Sequence, residues 1–409
     1  VSSLTSITHL SKGEKKARGL EYTPEEIEGQ VRLWSDTYSR VCRRRDDIIG
    51  FMKPLSAGQS KNCILTGAGT SEFVGRCVEG LFRKCLKLPT SVFSTTAIVT
   101  NPETCIIDGC KTLMVSFARS GNSPESIGAV RIAETLYADI SHLIITCNGR
   151  GSLNRVCGNL DSGISLVLHE DSNDRGLAMT ASFSNMVVAA QAVSYIHTLE
   201  TYERYCEMLQ ACGNEMLYTA PDTVEKISRL DFSRAVFLGS GCNLGTAIES
   251  HLKLQELTSG SVMCTYDTFP GLRHGPEAVI DENTIVVAFV SNNPYVRRYE
   301  LDLLAELKHK GLGRATLVSC GSTCDATAEL SDYVISYDRA QKHQLPDDIT
   351  PPVHVIVGQL LGLFKSMHLG FKPDAPSESG VINRVVKGVK VYDPVAFRES
   401  GNFDIIAER

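Results

Sequence analysis

A pattern near residue 62 returns near residue 234, and this repetition constrains the fold more than any other feature. NCILTGAGTS (62–71) reappears as RAVFLGSGCN (234–243), so Gly67, Gly69 and Ser71 map onto Gly239, Gly241 and Asn243 with a shift of 172. TLMVSFARSG (112–121) returns as TIVVAFVSNN (284–293) with the same shift, and LIITCN (143–148) returns as ATLVSCG (315–321) with a shift near 173. Each unit is a short apolar run that ends in Gly, Ser or Asn and leads into a helical segment, the pattern of parallel βαβ units. Three units in one order at nearly one spacing predict a duplicated α/β domain. Each copy should form a parallel sheet with helices on both faces and bind ligands at the carboxyl ends of its strands.

The chain has 409 residues, 43% of them hydrophobic, enough to bury the core of either one double-sized body or two ordinary domains. A net charge of -6 is small for this length, so no polyanion-binding field is implied and nucleic acid is not an expected partner. The fourteen cysteines are scattered through apolar segments without a CxxC pair, as expected of reduced core thiols. Cys320 with Cys324 and Cys105 with Cys110 come nearest to paired spacing, but no histidines are placed to complete a metal site. The first residues show no apolar run with a small-residue cleavage site, and no later stretch approaches 18 uninterrupted apolar residues. A cytoplasmic protein with no membrane partner is expected.

Thr23-Pro24-Glu25-Glu26 reads as a cap, a helix-opening proline and acids in the first turn, with Ile27, Val31, Trp34, Tyr38 and Val41 at helical spacing behind it. One long amphipathic helix over 22–53 is expected, with Arg43-Arg44-Arg45 facing Asp46 and Asp47 on a solvated side. The expected organisation is an N-terminal helical segment (1–55), a first domain (56–215), a second domain (216–375) and a C-terminal tail (376–409).

SFARSGNSPES (116–126) ends a strand and opens a helix, and it offers Ser116, Ser120, Ser123 and Ser126 around Gly121. Hydroxyls together with the free N–H groups of a helix N-terminus make an anion site that suits a sugar phosphate better than a nucleotide. GxxxxGK[ST] is absent, and GAGTSEFVG is a poor dinucleotide fingerprint because Gly75 falls three positions late, so no cofactor is expected. Helix capping explains the serines on their own, but GAGTS at the neighbouring strand end favours a site. In the second copy FVSNNPYVRR replaces this turn and loses most hydroxyls, so one working phosphate site is expected, in the first copy. GLAMTASFSNM (176–186) is a third small-residue turn; it could close a sugar pocket, although a plain cap at Thr180 or Ser182 explains it nearly as well.

GTAIESHLKLQELTSG places Glu249, Lys253 and Glu256 at spacings of four and three, on one helix face. A surface ion-pair ladder is the plain reading. Ile248, Leu252, Leu254 and Leu257 show that this helix also packs, so some of its charges should be half buried and one glutamate could carry protons. His274 follows Glu256 by eighteen residues on the Gly-Pro turn of GLRHGPEAVID, and histidine suits proton transfer at neutral pH.

These residues carry a resemblance. The two copies resemble sugar isomerase (SIS) domains, and ESHLKLQE followed by LRHGPEAVID is similar to the isomerase half of glucosamine-6-phosphate synthase. SFARSGNSPES, AMTASFSNM and YDTFPGLRHGP look more like the branch known as tagatose-6-phosphate ketose/aldose isomerase or galactosamine-6-phosphate deaminase/isomerase, over roughly residues 25–395. The resemblance implies two tandem three-layer αβα domains of flavodoxin-like Rossmannoid type behind an N-terminal helix. It implies Glu256 as the base moving a proton between C1 and C2, and His274 as the ring opener, acting on the neighbouring subunit of a homodimer or higher homo-oligomer. Lys253 corresponds to a lysine of the same helix. Gly69, Thr70, Ser71, Arg119, Ser120, Gly121, Asn122, Ser123 and Thr180 form the substrate and phosphate set, and Lys387 in RVVKGVKVYDP stands where the synthase tail has a catalytic lysine. Ala118 and Arg119 depart from the synthase's serine and glutamine, trading hydroxyl contact for a cation. The expected substrate is a phosphorylated hexose or hexosamine. The expected reaction is deamination of galactosamine 6-phosphate to tagatose 6-phosphate and ammonia; plain ketose/aldose isomerisation or a non-catalytic SIS regulator are the alternatives.

Overall fold

The computed structural model describes residues 2–53, 60–377, 380, 384, 386, 388–401 and 404–406. Two compact units emerge, one made of Asp36–Asn173, Asn185–Tyr202 and Arg384–Arg409, the other of Val1–Ser35, Asp174–Ser184 and Glu203–Asn383.

The first of these units holds the first repeat. Its strands are β1 (Lys61–Gly67), β2 (Thr90–Ser94), β3 (Lys111–Ala118), β4 (Ile140–Thr146) and β5 (Gly163–Val167). All neighbours are parallel, in the order β2-β1-β3-β4-β5. Strands covered on both faces read as unbroken apolar runs, and β3 is buried from Thr112 to Ala118. Leu113, Met114 and Val115 are fully buried there, and each such side chain stabilises the fold by about 1.5–3 kcal/mol. The chain order reverses between β1 and β3, so the crevice at their carboxyl ends is where such a sheet binds ligands.

The other unit repeats the design with β6 (Arg234–Gly239), β7 (Met263–Asp267), β8 (Thr284–Phe289), β9 (Ala315–Cys320) and β10 (Tyr333–Ser336). Their parallel order β7-β6-β8-β9-β10 is the first sheet's order again. The duplication extends to backbone torsions. Gly69 caps the helix after β1 at φ 54, ψ -127, and Gly241 caps the helix after β6 at φ 56, ψ -123, a region that side-chain-bearing residues avoid.

Helix Pro351–His368 is buried from Pro351 to Ser366 and crosses helix Cys242–Leu257 closely. A Cβ on Gly362 would lie 2.8 Å from Leu257 Cδ1 and 2.9 Å from the Lys253 carbonyl oxygen. Only glycine permits this approach, which covers the Lys253 turn of the helix.

The N-terminal part differs from the single helix expected over 22–53. Helix Thr23–Arg43 is followed by a separate helix Arg45–Met52. At the break, Arg44 pairs with Asp47 at 2.7 Å and donates to the Ser165 carbonyl at 3.1 Å, so the basic run is in part an anchor on β5. Thr23 does not cap its own helix: its hydroxyl donates to Asp374 Oδ1 at 2.8 Å. Two short helices precede it, Ser3–Thr8 and Lys12–Arg18, the latter opened by a Ser11/Glu14 capping box whose S-x-x-E spacing is visible in the sequence.

Candidate active site

In the first repeat, β1 runs through Gly67 and Ala68 to Gly69, where the helix Thr70–Leu86 begins without a side-chain cap. Thr70 and Ser71 are 5% and 6% exposed. β3 ends at Ala118 and is followed by Arg119 and Ser120, both nearly buried, then Gly121, Asn122 and Ser123. Ser123 precedes helix Pro124–Leu136 and does not cap it with its side chain. Two uncapped helix N-termini therefore meet the switch point of one sheet, each with hydroxyl groups in its first turn, which is the composition of an oxyanion site. Ser116, named with the other serines, lies inside β3 and not in the turn.

The turn is braced from the next strand end. Asn148 Nδ2 donates to the Ser120 carbonyl at 2.8 Å, Leu153 N–H to the Gly121 carbonyl at 2.8 Å, and Ser152 N–H to Asn122 Oδ1 at 3.0 Å. The Ser120 hydroxyl accepts the Asn122 N–H at 3.3 Å. Arg119 Nη2 donates to the Arg384 carbonyl at 2.7 Å, and Arg384 in turn donates to Asn173 Oδ1 at 2.7 Å. The described part of the C-terminal tail is docked on the helix that starts at this turn, with Val391 against Gly128 and Arg131 donating to the Ile406 carbonyl.

The second repeat supplies acid–base groups. On helix Cys242–Leu257, Lys253 is fully buried, with its ammonium 2.7 Å from Glu256 Oε2 and 3.3 Å from Glu249 Oε1. The Glu249 side chain is 0% exposed, whereas that of Glu256 is 33% exposed. Burial acts to lower the Lys253 pKa, but the two carboxylates outweigh it and hold the ammonium above its ordinary value. The face is thus a buried cation clamped between two acids, one sealed and one reaching solvent, and not the solvated ladder that spacing alone allows. A carboxylate fixed in this way can accept and return a proton without reorienting.

His274 is exposed on the turn between helix Phe269–Leu272 and the short 3-10 helix Pro276–Val279. Thr268 caps the first of these, and Gly275 takes φ 120 immediately after the histidine. Its neighbours tie the turn to helix Pro294–Lys310, with Arg273 on Glu306 and Lys310 on Glu277, both at 2.6 Å.

No protein-family model matches the chain. D-galactosamine-6-phosphate deaminase AgaS of Escherichia coli is 36% identical over 374 residues, covering 91% of this chain and 95% of the relative. Among solved structures, a Clostridium novyi protein provisionally called a tagatose-6-phosphate ketose/aldose isomerase matches with a TM-score of 0.89 at 36% identity, over 93% of this chain and 96% of that one. Tagatose-6-phosphate ketose/aldose isomerase of Escherichia coli gives 0.81 at 33% identity, over 91% and 96%. The chain belongs to the AgaS family of SIS proteins. Its two sheets are the tandem SIS domains of that family.

For this AgaS-family chain, two expected site residues stand apart from the others. Thr180 is fully buried, and its hydroxyl and N–H both go to Asp174, at 2.9 and 2.8 Å. Asp174 also accepts the N–H groups of Ala181 and Ser182, so Thr180 serves the start of helix Ala181–Ser194. Lys387 lies outside the described residues. Asp174, Asn148 and the Arg384 carbonyl were missed as supports. NCILTGAGTS-like syntax around HLIITCNGRGS marks Asn148 as a strand-end residue, but nothing in the sequence joins Asp174 to a helix six residues away or Arg119 to position 384.

All fourteen cysteines are free thiols, most of them buried. Among the described residues, no group of three or more His, Cys, Asp or Glu side chains could hold a metal ion, and no helix is long and apolar enough to cross a membrane.

Proposed function

We propose that the chain is an amino-sugar phosphate deaminase/isomerase that converts galactosamine 6-phosphate and water into tagatose 6-phosphate and ammonia. The Lys253 clamp on Glu256 carries this assignment, and the 36% identity to a D-galactosamine-6-phosphate deaminase supports it. Gly69, Thr70, Ser71, Arg119, Ser120, Gly121, Asn122 and Ser123 bind the phosphate end, and positioning of the open-chain sugar supplies much of the rate. His274 opens the ring. Glu256 removes the C2 proton and returns it at C1 while one amine proton passes to O1, leaving a ketimine at C2 whose hydrolysis consumes one water and releases one ammonia. With a hydroxyl in place of the amine the same transfer is an aldose–ketose isomerisation, the reading favoured by the name of the Escherichia coli structure. We take residues 56–215 and 216–375 as the two domains.

A coupled ammonia assay on galactosamine 6-phosphate, with glucosamine 6-phosphate as comparison, tests the reaction; interconversion of sugar phosphates without ammonia would favour the isomerase. Glu256→Gln should lower kcat roughly 10²-fold or more with little change in KM, and near-full activity removes Glu256 from the mechanism. The exposure of His274 suits service to a neighbouring subunit in a homodimer or higher assembly. Mixing Glu256→Gln chains with His274→Asn chains should then restore activity that neither has alone, whereas continued inactivity assigns His274 to its own chain.

A further inference from the structure

The second repeat retains the backbone of an anion-binding switch point but meets an anion of its own. Ser291, Asn292 and Asn293 follow β8 where Arg119, Ser120 and Gly121 follow β3, and Gly241 repeats the Gly69 torsions at the adjoining helix. The carboxylate of Asp347 sits in this turn: Oδ1 accepts the Asn292 N–H at 2.7 Å and Oδ2 accepts the Ser291 hydroxyl at 2.5 Å. The turn is hydrogen-bonded on several sides around it. Asn292 Nδ2 donates to Tyr337 Oη at 3.1 Å and to the Leu345 carbonyl at 2.8 Å. Arg297 donates to the carbonyls of Ser291 and Asn292 at 2.8 and 2.9 Å and places a cation behind the turn, while Glu300 accepts the Ser291 N–H at 2.8 Å.

The same segment grips the helix that bears Glu249, Lys253 and Glu256. The Asp347 carbonyl accepts the thiol of Cys242, the first residue of that helix, at 2.9 Å. It also accepts the Thr350 hydroxyl at 2.9 Å, and that hydroxyl lies 3.2 Å from Asn243 Oδ1. A phosphate at the first repeat's switch point would join the β1–helix turn to the β3–helix turn; here one residue joins the corresponding turns, Asp347 binding the β8–helix turn with its carboxylate and the start of the helix after β6 with its backbone carbonyl.

We infer that Asp347 is a permanent internal anion that closes a latent tetrahedral-oxyanion site in the second repeat and thereby acts as a positioning residue for the Lys253–Glu256 helix. The turnover part rests on the proposed role of Glu256; the binding part does not. Equilibrium dialysis of the full chain against labelled inorganic phosphate tests the binding part. Asp347→Ala should bind one phosphate per chain more than the unsubstituted protein. In the ammonia assay at saturating substrate, its kcat should fall roughly tenfold to a hundredfold and recover severalfold on addition of formate, which replaces the lost carboxylate, while the unsubstituted enzyme gains nothing. A merely structural aspartate would not produce this anion-specific rescue. Asp347→Ser, which keeps a hydroxyl to bond the turn, should show the same extra phosphate and serves if the alanine variant does not fold. Equal phosphate stoichiometry in variant and parent overturns the latent site, and a kcat unchanged by substitution or by formate overturns the positioning role. Extra phosphate bound by a chain that releases no ammonia from any sugar would instead leave the latent site standing and refute the deaminase reading.

Discussion

Replacing Lys253 by Met removes the cation between two carboxylates and keeps most of the side-chain volume. At 3.3 Å the attraction between Lys253 and the sealed Glu249 is about 5 kcal/mol at an effective dielectric of about 20. Desolvation of both ions offsets most of that gain, so the intact pair contributes little net stability. Removing one partner is different, because Glu249 is left charged and buried, which costs about 3–5 kcal/mol. Glu256 is one-third exposed, so water screens its share and nothing is added for it. The ammonium is held above 10.5 in the folded chain, so its contribution is complete at neutral pH and is lost only as the pH rises through that raised value. Urea unfolding followed by Trp34 fluorescence reads this unit, since the single tryptophan is fully buried in it. Lys253→Met should lower the unfolding free energy at pH 7 by about 3–5 kcal/mol, and adding Glu249→Gln should restore most of it. A single variant within about 1 kcal/mol of the parent, or a double variant no more stable than the single, would refute the sealed-pair account.

Two further outcomes follow from the geometry. Gly69→Ala and Gly241→Ala meet no atom within 4 Å, so each should cost only backbone strain, about 1–3 kcal/mol; calorimetry with inorganic phosphate should show weakened binding for the first and not for the second, and equal weakening would remove the phosphate role from the first repeat's turn. Burial, with the Asp174 charge adding to it, raises Glu26 to about 8, so its folded-state contribution is full below pH 4.5 and is lost as the pH rises towards 8. Glu26→Gln should flatten the decline in stability between pH 5 and 8, and an unchanged slope there assigns the decline elsewhere.

Much of the fold was legible because the rules that set it are local. Apolar runs buried on both faces, glycines required by backbone torsion and a recurring order of turns specify two parallel sheets, and the topology places SFARSGNSPES at a switch point. The single helix expected over 22–53 failed at Arg44, where an anchor on the distant Ser165 carbonyl accompanies the break. Thr180 was ambiguous for the same kind of reason, since only the fold brings Asp174 under its helix.

The sequence by itself determined the duplication, the strand-to-helix turns and the face that carries Glu249, Lys253 and Glu256, because unbroken apolar runs, the 3.6-residue helical period and backbone torsions act over a few residues. Tertiary structure alone decided which of those charges is sealed. The Gly362 approach of a helix one hundred residues away buries Lys253, and an aspartate fifty-five residues beyond Asn292 fills the second turn. Burial and ion pairing depend on what lies across space, and spacing along the chain carries no record of it.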